Sequence, residues 1–284
     1  MKTGVFVGLI TLDCIYRTQR PLAPNEKQVA EEVLLAAGGP ATNAATAFQA
    51  LGNRAILVGA LGNHPLSAVV RDDLQKHGVE LLDLTPDVTV PPPFSSIVVN
   101  TATGDRAVIS RNAVDRPQPS TLPDRDVLAT ADCVLLDGHQ MQLGHHVGQA
   151  ARRQNIPVVV DAGSWKVGFE TVLPLAQVVI ASATFCPPEQ SPGADAIAYL
   201  QSSGIPYTAV TQGARPVMYR TPTATGTLPV PQIAVMDTLG AGDIFHGAFC
   251  HGYVRTGDFL TALQTAAQIA AASCQSFGTR QWIQ

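Results

Sequence analysis

The chain has 284 residues, enough for one large domain or two small ones with a substantial core. Its 18 Lys and Arg against 22 Asp and Glu leave a net charge of −4, so it lacks the basic excess that a nucleic-acid backbone or an anionic bilayer demands. With 46% hydrophobic and 14% charged residues it falls outside the disordered class, and 24 Gly and 21 Pro suit many short connections between buried elements.

Cys14, Cys133, Cys186, Cys250 and Cys274 are odd in number and include no Cys-x-x-Cys pair, which argues against a disulfide framework or a zinc knuckle. A reducing cytoplasm is the expected compartment. Near the start, the apolar run from Gly4 to Leu12 is ended by Asp13 with no small-residue cleavage site, so it reads as a buried strand rather than a signal peptide.

In chain order, strand-like runs alternate with helix-length segments: Val5–Leu9, Ala41–Leu51, Ile56–Val58, Leu66–His77, Cys133–Leu136, Leu143–Gln154, Val158–Val160, Val178–Ala181, Ala194–Ser202 and Thr208–Thr211. This rhythm predicts an α/β fold with a doubly wound, mostly parallel central sheet. Consecutive apolar positions at 158–160 and 178–180 fit strands covered on both faces. Phe259 to Thr279 lacks charge but is interrupted by Thr, Gln and Ser, and reads as a buried Ala-rich helix rather than a membrane span.

Two stretches break the rhythm. Residues 14–37 and 94–110 show strand-like alternation without helices, the second turning around Thr103-Gly104-Asp105. They predict a small β subdomain placed as a lid over a cleft, with an edge extension of the sheet as the alternative. The whole chain is expected to form one domain.

The segment Asp237-Thr238-Leu239-Gly240-Ala241-Gly242-Asp243 follows a strand-like Ile233-Ala234-Val235 and opens a helical run from Ile244. Glycines at 240 and 242 flanking Ala241 admit close approach of a ligand, and the first N–H groups of a helix lack intrahelical partners. That makes an anion hole, and Asp243 beside it can take a proton from a hydroxyl. The plainer alternative is a tight turn with Asp243 as a helix cap. Neither a P-loop nor a dinucleotide fingerprint is present, since Phe245 stands where the latter needs Gly.

Gly38-Gly39-Pro40-Ala41-Thr42-Asn43 opens a second Ala-rich helix. The amide of Asn43 offers both a donor and an acceptor, as a sugar hydroxyl needs, or it bonds a loop carbonyl. Asp13 ends the first apolar run, and strand ends face the ligand crevice in open parallel sheets; a surface turn is the alternative.

Together these segments resemble the signatures of the ribokinase-like, or PfkB-type, carbohydrate kinases, with a leaning toward the ketohexokinase- and fructokinase-like branch. The Gly-Gly-x-x-x-Asn and Asp-Thr-x-Gly-Ala-Gly-Asp segments stand in the order that family shows. The resemblance implies transfer of the γ-phosphoryl group of ATP to a primary hydroxyl of a small sugar, with a ketohexose favoured and Mg²⁺ on the phosphates. It makes Asp243 the base and Gly240, Ala241 and Gly242 the anion hole. Asp13, Gly38, Gly39 and Asn43 then hold the sugar, with Arg111 reaching in from the lid. Thr211, Gly213, Asp237 and Thr238 fall to the nucleotide side, and a K⁺ ion belongs near the Asp237–Thr238 turn and the Cys274–Gly278 loop. The family's pairing of lids between subunits implies a homodimer, which light scattering would test.

Departures accompany the match. The family's Asn-x-x-Glu is missing after Val178–Ile180, where Ala181-Ser182-Ala183-Thr184-Phe185 stands, and Pro216 replaces a customary glycine. Asp161-x-x-Ser164-Trp165-Lys166 is similar to a stretch in branches that tolerate such loss. The histidines share no spacing with carboxylates or cysteines, so no protein-held metal is expected. A nucleoside kinase of the same family is one alternative, and a silent sugar-binding or regulatory protein another.

Overall fold

A computed structural model describes residues 1–123, 126–188 and 194–283. The chain opens with β1 (Thr3–Val7), β2 (Thr11–Thr18), β3 (Glu32–Gly38), α1 (Pro40–Ala50), β4 (Arg54–Gly59), α2 (Pro65–Lys76) and β5 (Glu80–Asp83). Next come β6 (Phe94–Asn100), β7 (Asp105–Ser110), β8 (Cys133–Leu136), α3 (Met141–Arg153), β9 (Val158–Ala162), the short α4 (Phe169–Val172) and β10 (Val178–Ser182). It closes with α5 (Ala194–Ser202), β11 (Tyr207–Gln212), β12 (Arg215–Arg220), β13 (Thr225–Leu228), α6 (Ala241–Thr256) and α7 (Phe259–Ser273).

Nine strands form one sheet in the order β13-β12-β11-β10-β9-β8-β1-β4-β5, parallel from β11 to β5 with an antiparallel hairpin, β12 and β13, at one edge. Alternate side chains of each strand enter opposite cores. Phe6, Leu57, Leu135, Val159 and Ile180 meet α1, α2, α6 and α7, while Val5, Val7, Val134, Val160 and Val179 meet α3, α4 and α5. Each such side chain contributes about 1.5–3 kcal/mol on full burial, which explains why the central strands carry apolar residues at consecutive positions.

The direction of winding reverses between β1 and β8, the point at which open α/β sheets form a crevice at the carboxyl ends of their strands. Over that crevice stands a second sheet, β3-β2-β6-β7, whose inner face buries Ile15, Ile97 and Val99 against Phe277. Its strands agree with the predicted β subdomain except at the start. Strand β2 begins at Thr11, so Asp13 lies inside this small sheet, paired with Ala36 and Ser95, and does not end the first strand of the large one.

Three strands escaped the sequence reading. Glu80–Asp83 is short and only half-buried, and the hairpin Arg215–Arg220 and Thr225–Leu228 is interrupted by Pro and Gly. Conversely, Ile233–Val235 is not a strand: its alternation finds no neighbour to pair with, and Val235 instead packs on Gly104 of the small sheet. No helix among the described residues is long and apolar enough to cross a membrane.

Candidate active site

Helices α1 and α6 pack side by side because α6 carries Gly247 where a Cβ would stand 2.3 Å from the carbonyl oxygen of Ala44. That close approach brings their first turns together at the crevice. Asn43 Nδ2 donates to Asp243 Oδ2 at 2.8 Å, joining residues 200 positions apart.

Asp243 lies in the first turn of α6, where an acidic side chain faces the positive end of the helix dipole. It is nonetheless half-buried among other acids. Burial, followed by the charge of Asp161, pushes its carboxyl up to about 7, against the hydrogen bond from Asn43 and the influence of His246. A carboxylate poised there can accept a proton at neutral pH.

Ahead of it, Gly240 adopts φ 70°, and a Cβ on it would meet Thr279 at 2.7 Å. Ala241 N–H is taken up by Thr238 O at 3.3 Å, but among the described residues neither Gly242 N–H nor Asp243 N–H has a protein acceptor. Gly242 is exposed, and a Cβ there would touch nothing within 4 Å. Packing therefore gives no reason for glycine at this position, although Gly costs a helix up to about 1 kcal/mol relative to Ala. Open space beside unpartnered N–H groups is what an incoming anion requires.

Asp13 faces the same region from β2. Its Oδ1 accepts from Thr11 Oγ1 at 2.7 Å, and burial raises its pKa. Gly38 is required beside it, since a Cβ would fall 1.9 Å from the Asp13 carboxylate. Gly39, at φ 100°, comes against the Leu9 carbonyl oxygen, 2.2 Å from where a Cβ would stand. Across the small sheet Ser95 Oγ meets Ser110 Oγ at 3.2 Å, continuing the polar row that Asp13 begins.

The other named residues fall differently. Arg111 is exposed and pairs with Asp115 at 3.0 Å, away from these contacts, whereas Arg106 on the same hairpin donates to Thr238 Oγ1 at 2.8 Å. Asp237 is buried, which raises its pKa, and each of its oxygens accepts a backbone N–H, from Leu239 and from Gly278, both at 2.8 Å. Thr211 bonds Ala181 O at 3.3 Å, and Gly213 takes φ 64° in the β11–β12 turn.

Three residues outside the two glycine-rich signatures also reach the site. Asp161, on β9, is buried beside Asp243, and burial raises its pKa. His246 lies next to it, Nδ1 3.5 Å from Asp161 Oδ2 and 2.7 Å from Gly242 O, with Nε2 3.1 Å from Ile180 O. Arg280 Nη1 donates to Asn43 Oδ1 at 2.9 Å. A carboxylate closing the apolar run Val158–Val160 was a readable sign of Asp161; nothing local marked Arg280.

Among the described residues no three His, Cys, Asp or Glu side chains converge as a metal cage. Mg²⁺, which needs only one or two carboxylates when phosphates supply the rest, is compatible with Asp161 and a triphosphate. At the place expected for K⁺, the Asp237 carboxylate accepts two backbone N–H groups and Cys274 O accepts those of Met236 and Asp237, contacts that join the turn before α6 to the loop after α7.

Residues 1–283 match the sequence profile of the pfkB family carbohydrate kinases. A ribokinase of Bacillus subtilis (strain 168) is 24% identical over 99% of this chain and 95% of its own. The solved structure of ribokinase from Giardia lamblia superposes with a TM-score of 0.84 at 18% identity, covering all of this chain and 96% of that one. That of Arabidopsis thaliana ribokinase, complexed with ribose and ATP, gives 0.79 at 22% identity over 98% and 93%.

Proposed function

Since the chain belongs to the pfkB family of carbohydrate kinases, and is thus a phosphotransferase acting on a sugar hydroxyl, we propose that Asp243 is its general base and the start of α6 its phosphoryl site. The acceptor is a primary hydroxyl of a small free sugar, a ketohexose or an aldopentose. ATP is the donor. The observation that carries this reading is the conjunction at α6 of an unfilled helix start and a carboxyl raised to about 7.

The small sheet brings Asp13 and the Ser95–Ser110 row to the sugar hydroxyls, and Asn43 holds one oxygen of the base. Asp243 then removes the hydroxyl proton as the oxygen attacks, while the N–H groups of Gly242 and Asp243 receive the charge on the transferring phosphoryl group. Mg²⁺, when bound with ATP, neutralises the phosphates. Arg106, bonded to Thr238, fastens the small sheet to this turn, which fits a lid that closes out water.

The test is ATP-to-ADP turnover with Mg²⁺, with and without K⁺, against ketoses, aldopentoses and nucleosides, run beside Asp243→Asn. Turnover on a sugar should fall by about 10²–10⁴ in the variant while sugar binding persists. Near-full activity in the variant would refute the base. Turnover on nucleosides alone would replace the sugar.

A further inference from the structure

We propose that Arg280 is a positioning residue for the phosphoryl transfer, acting through Asn43 to decide which oxygen of Asp243 receives the proton. The proposal rests on the reading of Asp243 as base.

Arg280 is buried 37 positions beyond the base, counting 280 − 243, in a segment that no sequence signature touches. Each of its guanidinium nitrogens is engaged: Nε with Asp73 Oδ2 at 3.1 Å, Nη2 with Ala37 O, and Nη1 with Asn43 Oδ1 at 2.9 Å and Thr279 Oγ1 at 3.0 Å. A guanidinium only donates, so the atom of Asn43 facing it must be the amide oxygen. The amide nitrogen is thereby turned toward Asp243 Oδ2, which must accept. One carboxylate oxygen is thus occupied by a fixed donor, and Oδ1 is left for the sugar hydroxyl. Without Arg280 the amide of Asn43 is free to flip whenever Asp243 is protonated, its oxygen then accepting from the carboxyl O–H, which stabilises the uncharged form.

The arrangement also answers why an arginine is buried at all. Taking a guanidinium out of water is costly unless it is paired, and Asp73 on α2 supplies the pair. Burial pushes the Asp73 carboxyl up, but His77, Arg280 and the Ala37 N–H outweigh it and hold it below its ordinary value. Asp73 Oδ2 also accepts the N–H of Ala37 at 3.0 Å, so the pair is anchored to the end of β3 and cannot drift from Asn43.

The charge of Arg280 is felt by Asp243 among a defined set of neighbours. Asp161 on β9 and Asp13 on β2 oppose ionisation of Asp243, while the hydrogen bond from Asn43 and His246 on its own helix favour it; the charge of Asp243 in turn favours the charged form of the Arg280 guanidinium. Lys166, His139 and Asp137 act on Asp161 behind them. Arg280 is the cation in direct contact with the residue that bonds the base.

The experiment compares Arg280→Met and Arg280→Lys with the wild-type enzyme in the pH dependence of kcat and KM, and titrates the Asp243 carboxyl by ¹³C NMR in each. In Arg280→Met the acid limb should move to higher pH and kcat at pH 7 should fall at least tenfold. The two enzymes should converge above pH 8.5, with KM for the sugar changing less than kcat. Arg280→Lys, which keeps the charge and most of the volume, should fall between them, and it carries the test if the methionine variant does not fold. An unmoved acid limb and NMR titration in a folded variant, whatever its melting temperature, would show Arg280 to be structural only and overturn the proposal. The NMR titration reads this coupling independently of turnover, and retained activity in Asp243→Asn would instead signal failure of the base assignment.

Discussion

Helices α1 and α6 both begin on a glycine with positive φ, Gly39 at 100° and Gly240 at 70°, and both point their first turn into the crevice. What lies in front of them differs. At α1 the protein supplies its own anion: Asp137, buried after β8, accepts Ala41 N–H at 3.2 Å together with Leu9 N–H at 2.8 Å and His139 N–H at 2.9 Å. At α6, among the described residues, no carboxylate accepts from the first N–H groups, and Gly242 borders open space. Two similar glycine-rich sequences therefore differ in use, one locking three elements at the winding reversal, the other leaving its first N–H groups open, where the proposed function seats the phosphoryl charge.

The contrast is sharpest if the filled start is emptied. Asp137→Ala leaves three N–H groups without their acceptor, at about 1–3 kcal/mol each, so stability should fall by at least about 3 kcal/mol. Urea unfolding with an unchanged m-value would measure it, and a loss below about 1 kcal/mol would show that Asp137 does not lock the switch point. Removing the carboxylate at the open start should do the reverse. Asp243 has a carboxyl near 7 in the folded protein against about 3.9 unfolded, so between those values the folded state holds a proton that the unfolded state has released. The contribution of Asp243 to wild-type stability accordingly declines as pH rises from 4 to 7. Asp243→Asn escapes that decline and should be no more stable than wild type near pH 4 but more stable by about 2–4 kcal/mol at pH 8. A difference independent of pH would contradict the raised pKa.

The two helix starts also show what a sequence can and cannot reveal. Gly38, Gly39 and Gly240, with Asn43 and Asp243 one turn further on, were legible because a close contact or a positive φ demands glycine at each. The parallel sheet was legible for the same kind of reason, since strands such as Val158–Ala162 are buried on both faces and write that into consecutive apolar positions. Roles set by distant partners were not. Asp137 and Arg280 look like ordinary charged residues until folding places them against α1, and Asp13 was assigned to the wrong sheet because the short link from β1 to β2 leaves no mark between Val7 and Thr11. Asp237 and Thr238 belong to the signature, yet their side chains hold the turn to Gly278 and Gly104.

The smallest change in the chain gives the most direct test of the claim that α6 is kept open for a phosphoryl group. Gly242→Ala adds one methyl group into unfilled space at an exposed helical position, where alanine favours the helix by up to about 1 kcal/mol. Melting temperature and kcat measured together should diverge, with the variant at least as stable as wild type and its kcat reduced by tenfold or more because the methyl group stands where the phosphoryl oxygens must approach. Equal stability gain with undiminished kcat would mean that phosphoryl transfer takes place elsewhere and that the open helix start is incidental.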